Sequence, residues 1–277
     1  MKKLIIFVFY FILFSCSNFE KKEKEKIKSK NLKKEIIYRK SNDSFFEIPD
    51  LKKRSRLIYP WEMSNQNYKL AKIEKGSFKC KGSSLNAPIM EEINGDDFKV
   101  YYDCEGANNH SLPFFNGKEE GIYQILIDLL NYIQFTCHKK VIITCGHRCP
   151  IHNIYADKSK NNKTSKHMIG AEVDFYVQDF EQRPKEIILL IFKYYQEKYK
   201  NVEYTNFFRY EKDDSNVKIK PWYNKEIFVK LYQENEGRDL DNNHFYPYIG
   251  IQVLYDNVNK QKVYYSWDKA FNAYKRW

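Results

Sequence analysis

The stretch TSKHMIGAEVDFYV, residues 164 to 177, sets His167, Glu172 and Asp174 in a polar loop that runs directly into an apolar, aromatic segment. Histidine nitrogen and carboxylate oxygen are zinc donors, and a catalytic zinc takes three protein ligands and leaves one position open. His167 lies in the loop and Asp174 seven residues on, inside a strand; a turn at Gly170 can bring both side chains to one point. A carboxylate in the middle of EVDFYV is costly unless it is paired or bound to a cation. The same pattern also admits a plainer reading, in which Asp174 is a buried carboxylate bonded to backbone and His167 merely a neighbour.

Two quoted elements carry a family resemblance. SKHMIGAEVD resembles the S-x-H-x-x-G-x-A-x-D signature of the zinc D-Ala-D-Ala peptidases, the peptidase M15 family, with Ser165, His167, Gly170 and Asp174 in register. Upstream, TCGHRCPIHN resembles that family's SGYRSPxxN element through Arg148, Pro150 and Asn153, with Cys145, His147 and Cys149 in place of Ser, Tyr and Ser. The likeness covers roughly residues 118–277. It departs at Glu172, where the family has alanine, and in the third ligand, a late histidine that in the family follows a tryptophan. No Trp-His pair occurs in this chain. The segment DNNH, residues 241 to 244, has an acid three positions before a histidine, as the family does. The resemblance therefore implies a Zn2+ held by His167, Asp174 and His244, with Asp241 as the base that takes a proton from water. It implies Arg148 as oxyanion or carboxylate partner, and Ser165 and Arg148 as substrate-binding groups. His147, beside Arg148, is a further candidate for lining the pocket. His110 and His138 read as surface or structural residues. A thiol mechanism with Cys145 or Cys149 beside His147 is the lesser alternative.

The elements that must position these residues are legible from periodicity. EEGIYQILIDLLNYIQFTC places Ile122, Ile125, Leu126, Leu129, Leu130 and Ile133 on one helical face. KVIITC and AEVDFYV read as β-strands, and RPKEIILLIFKYYQEKYK as a helix with Pro184 in its first turn. NKEIFVKLYQENEG reads as a shorter helix ending near Gly237. YPYIGIQVLYD and KVYYSW read as a hairpin joined by NVNKQ, and the last ten residues as a terminal helix. The expectation is an α+β fold with a small antiparallel sheet flanked by helices; the resemblance makes it Hedgehog/D-Ala-D-Ala-peptidase-like. The folded part divides into an irregular segment, 45–117, and a peptidase-like domain, 118–277.

Ahead of it, MKK and the apolar run LIIFVFYFILF have the form of a signal peptide, and LFSC resembles a lipobox with Cys16 as the lipidated residue. Residues 1–16 then form the lipoprotein leader and 17–44 a charged, solvated tether, so the chain is expected to be exported and anchored to a bacterial membrane, facing the periplasm or cell envelope. Hydrophobic residues make up 43% and aromatics 17% of the 277, enough for a sizeable core. Much of the net charge of +11 lies in one run, KKEKEKIKSKNLKKE, whose eight Lys and three Glu give +5, and no nucleic-acid motif accompanies it. Beyond Cys16, an oxidising compartment would suit a Cys80–Cys104 disulfide and a bridge from Cys137 to Cys145 or Cys149. Two functions fit these features. One is a membrane-tethered zinc peptidase cleaving next to D-amino acids in peptidoglycan stem peptides. The other is a non-catalytic lipoprotein of the same fold that binds wall peptide or a protein partner.

Overall fold

The computed structural model describes residues 70–95, 97–115, 119–157, 164–212, 215, 217–237 and 246–272. The expected leader with Cys16, the expected tether, Asp241 and His244 lie outside the described residues. Within them the fold is α+β, with a six-stranded sheet in which every neighbouring pair is antiparallel. The strands of the hairpin β1 (Ile89–Asn94) and β2 (Asp97–Tyr101) belong to a small compact unit, residues 88–102, and the other described residues to a second one. The segment expected to be irregular thus contains a regular hairpin.

In the larger unit, the short strands β3 (Phe114–Phe115) and β4 (Glu119–Glu120) lead into helix α1 (Gln124–Cys137). Strand β5 (Val141–Cys145), helix α2 (Pro150–Ala156), strand β6 (Glu172–Val177) and helix α3 (Pro184–Lys198) follow. Then come the one-turn helix α4 (Val202–Thr205) and strands β7 (Phe208–Arg209), β8 (Trp222–Tyr223), β9 (Ile227–Tyr232) and β10 (Tyr248–Val253). A two-residue ladder of β11 (Tyr255–Asp256) with β12 (Gln261–Lys262), and helix α5 (Trp267–Asn272), complete the described chain. The sheet order is β5-β6-β10-β9-β8-β7.

Period-two alternation splits this sheet into two chemically different faces. Val173, Phe175 and Val177 of β6, Ile249, Ile251 and Val253 of β10, and Ile227, Val229 and Leu231 of β9 are all buried in one core with α1 and α3. The intervening residues, Glu172 and Asp174, Gly250 and Gln252, and Lys230 and Tyr232, line the opposite face. Asn131 of α1 fastens the preceding chain to this core: its Oδ1 accepts from Ile73 N at 2.9 Å and its Nδ2 donates to Ile73 O at 2.8 Å.

Three expectations are corrected. NKEIFVKLYQ is strand β9, not a helix, because Ile227, Val229 and Leu231 alternate into the core between β8 and β10. Of KVYYSW only Lys262 enters a ladder, and Trp267 begins α5. The expected disulfides are not formed: Cys80, Cys104, Cys137, Cys145 and Cys149 are all free thiols. Among the described residues no helix is long and apolar enough to cross a membrane.

Candidate metal centre

His167 rides on a 3-10 turn, Lys166–Ile169, whose N-cap is Ser165. The Ser165 Oγ accepts the His167 backbone N–H at 3.3 Å, so its observed role is to start the turn that presents the histidine. Gly170 closes the turn with φ 67°, and its N–H returns to the His167 carbonyl at 3.2 Å. A side chain there would meet Gly121 O at 3.0 Å as well as adopt a left-handed backbone. The chain then enters β6 at Glu172 with Asp174 two residues on, on the same face.

The result is a buried pair. His167 Nε2 stands 3.1 Å from Asp174 Oδ2, with both side chains about 5% exposed. The other ring nitrogen, Nδ1, donates to the Gly146 carbonyl at 2.7 Å. That bond fixes the ring and, in neutral imidazole, leaves the Nε2 lone pair facing the carboxylate. Two ligands about 2.0–2.1 Å from one tetrahedral metal lie about 3.3 Å apart, close to the separation observed here. The donor set therefore fits a cation such as zinc. Burial opposes charge on His167, but the Cys145 thiol, Glu172 and Asp174 together outweigh it and hold the imidazole pKa well above its ordinary value. The pocket favours positive charge at His167 Nε2, carried by a proton when no cation is bound.

Two residues that sequence reasoning did not assign to the site complete its surroundings. Cys145, one of two candidates for a bridge to Cys137, joins His167 and Asp174 in a group whose ligand atoms all lie within 4.8 Å of one another. A register shift in β5, between Ile143 opposite Phe175 and Cys145 opposite Asp174, turns Cys145 onto the Asp174 face. The order Cys145, His167, Asp174 has the form of a thiol relay, with Sγ 3.4 Å from Nδ1. Gly146 O is nearer to that nitrogen, so Nδ1 carries a proton toward the carbonyl and is no base for the thiol. Glu172, the departure from the family signature, places Oε2 3.8 Å from His167 Nε2 while Oε1 accepts from Gln252 Nε2 at 2.7 Å. Burial pushes its pKa up, but His167, Lys230, the Gln252 bond and Lys166 prevail and hold Glu172 below the usual carboxylate range. The period-two spacing of Glu172 and Asp174 was the signal available in the sequence.

Arg148 is buried in the loop leading to α2, and its backbone N–H reaches the His167 carbonyl at 3.4 Å. His147 does not line an open pocket: its side chain is buried and its N–H donates to Phe78 O at 2.7 Å. Among the described residues neither of its ring nitrogens has a hydrogen-bond partner. Burial, reinforced by His110 and His167, keeps its pKa well below the ordinary value, so the ring is neutral. Gly146 is required by this packing, since a Cβ there would lie 2.7 Å from both Cα and O of Phe78. Asn153 is buried at the start of α2, where its N–H bonds Cys149 O at 2.9 Å.

No protein-family model, curated protein or solved structure matches the chain. A second group, Cys80, Cys104, His110 and Cys149, also has all its ligand atoms within 4.8 Å of one another, and all four residues are buried. His110 is thus an interior residue rather than a surface one.

Proposed function

We propose that this chain is a zinc-dependent peptidase of the D-Ala-D-Ala-peptidase type. It acts on peptide bonds next to D-amino acids in peptidoglycan stem peptides while tethered to a membrane through lipidated Cys16. One observation carries the reading: His167 Nε2 faces Asp174 Oδ2 at 3.1 Å while Nδ1 is committed to the Gly146 carbonyl. A histidine and an aspartate seven residues apart, oriented in this way, supply two of the three ligands a hydrolytic zinc needs. The resemblance supplies the third, His244.

When bound, zinc would lower the pKa of a ligated water toward neutrality and polarise the scissile carbonyl. The chain's own groups do the rest. His167 and Asp174 hold the metal, and the Gly146 carbonyl keeps the imidazole in the ligating tautomer. The Asp241 carboxylate takes the proton released from water and returns it to the leaving amine. The Glu172 carboxylate, kept ionised beside His167, adds negative charge to the cation pocket. Arg148 supplies a fixed, planar cation suited to an oxyanion or to a substrate carboxylate. The observed fold class is α+β, a six-stranded antiparallel sheet with helices packed on it, and the Hedgehog/D-Ala-D-Ala-peptidase-like arrangement is the finer form this reading adopts.

The test is a digest of isolated muropeptides by the full-length chain in detergent, read by mass spectrometry with and without a zinc chelator. Release of D-alanine, or opening of a cross-link, that is lost with chelator and with His167→Ala supports the proposal. A zinc-loaded wild type that leaves every muropeptide intact but retains them on a column would establish the non-catalytic binding reading instead.

A further inference from the structure

We propose that Cys80, Cys104, His110 and Cys149 form a second zinc site, closed and structural, distinct from the His167–Asp174 centre. The inference does not depend on the peptidase reading.

Three thiols and one imidazole converge from three separated parts of the chain, with all ligand atoms mutually within 4.8 Å. With zinc–sulfur bonds of about 2.3 Å and a zinc–nitrogen bond of about 2.0–2.1 Å, neighbouring ligands on a tetrahedron lie about 3.6–3.8 Å apart. His110 Nε2 lies 3.7 Å from Cys104 Sγ, which agrees. The imidazole is also oriented for ligation: Nδ1 donates to the Ser111 carbonyl at 3.0 Å, so the Nε2 lone pair points at the sulfurs. Backbone donors reach two of the three sulfurs. The His152 N–H reaches Cys149 Sγ at 3.3 Å, and the Gly106 N–H bonds Cys104. Cys80 and Cys104 each have a glycine two residues on, Gly82 and Gly106. A Cβ on Gly82 would sit 2.2 Å from Cys104 Sγ, so the chain closes over the sulfurs with no room for a side chain.

A disulfide is the competing use of these thiols. It would consume two sulfurs and leave the third, with the imidazole, buried beside them. Zinc uses all four groups, and a three-cysteine, one-histidine set with no open position is a structural zinc pattern. The region also needs a fastening. The buried apolar side chains of this corner are the three cysteines, with Ala107 and Ile151 packed on them. That is little hydrophobic surface to hold loops around residues 79–87 and 103–111. Metal binding can supply that folding free energy instead. Cys149 caps α2 and directly follows Arg148. The second zinc would thereby tie these loops to the segment that carries Arg148.

The experiment uses the full-length chain in detergent with zinc and, as a spectroscopic probe, cobalt(II). The double variant His167→Ala/Asp174→Ala removes the first centre. It is expected to keep about one metal per chain, with intense thiolate-to-cobalt charge-transfer absorption and tetrahedral d–d bands; adding Cys104→Ser should abolish both. X-ray absorption at the zinc edge of the double variant should show sulfur neighbours at about 2.3 Å. Unmodified chain provides a check that needs no variant. Its Cys80, Cys104 and Cys149 should resist alkylation together and become reactive together when zinc is chelated. The proposal is overturned if a non-reduced digest shows a disulfide between any two of these cysteines. It is equally overturned if the double variant binds no cobalt through sulfur, or if chelation leaves the alkylation pattern of the native chain unchanged.

Discussion

Gly250 lies directly across the sheet from Asp174, and a Cβ on Gly250 would stand 2.7 Å from Asp174 Oδ1. The absence of a side chain on β10 is what lets a carboxylate occupy the centre of a four-strand run of sheet. On the far side of Gly250 the pairing continues to Lys230, so glycine separates the acid from a cation in the same row. Next to them Tyr232 and Tyr248 stack with ring centroids 4.3 Å apart, which packs the edge of this row. Gly250→Ala should push the Asp174 carboxylate out of line with His167. Zinc affinity is expected to fall by about 10–100-fold, the usual effect of disturbing a ligand's support. The same methyl should cost about 1–3 kcal/mol of stability through overpacking. Competitive zinc titration and urea denaturation of the same preparation would separate the two effects.

Glu172 offers a second check on the centre. Its Oε2 is 3.8 Å from His167 Nε2, and Glu172→Gln keeps the shape while removing the charge. The expected outcome is zinc bound roughly tenfold more weakly, with kcat at saturating zinc near that of wild type. Asp241→Asn, by contrast, should retain zinc and lose about 10²–10⁴ in kcat, as expected for a general base. If the two variants exchange behaviours, Glu172 is the proton acceptor and Asp241 is not.

Cys145→Ser tests the thiol relay. Because His167 Nδ1 donates to Gly146 O at 2.7 Å, it is no base for the thiol, and the serine variant should hydrolyse muropeptides within a few-fold of wild type. A loss of about 10³-fold or more with zinc still bound would move the nucleophile to sulfur.

Asn131 addresses how the chain before residue 80 is held. Its side chain bonds both the N–H and the carbonyl of Ile73, and Nδ2 also reaches Ile127 O at 2.9 Å. Asn131→Ala leaves buried backbone groups of Ile73 without these partners, at a cost of about 1–3 kcal/mol. The urea midpoint should fall accordingly. Zinc binding at the His167–Asp174 centre should be unaffected at low urea, since neither ligand touches this network.

Local pattern made much of the framework legible. Helices α1 and α3 and strands β5 and β6 stand where periodicity placed them, since each presents one continuous apolar face or run to the core. His167 and Asp174 were legible for a similar reason: one glycine turn joins them, so sequence spacing nearly dictates their proximity. Strand β9 was not legible. IFVKLY carries apolar residues that satisfy a helical face as readily as a strand, and the choice is made by the neighbours β8 and β10, which are remote in sequence or carry no signal of their own.

What sequence alone determined, then, is helices α1 and α3, strands β5 and β6 and the local histidine–aspartate pair, because their physical causes lie within a few residues. Tertiary structure decided the rest. A one-residue register shift turned Cys145 toward Asp174 instead of toward another cysteine. Bringing residues 80, 104, 110 and 149 together made one group of candidate metal ligands, where the sequence had suggested a Cys80–Cys104 disulfide and left Cys149 as one of two partners for Cys137. Contacts between segments this far apart depend on how loops pack around a finished sheet, and no local propensity in Cys80 or His110 encodes that.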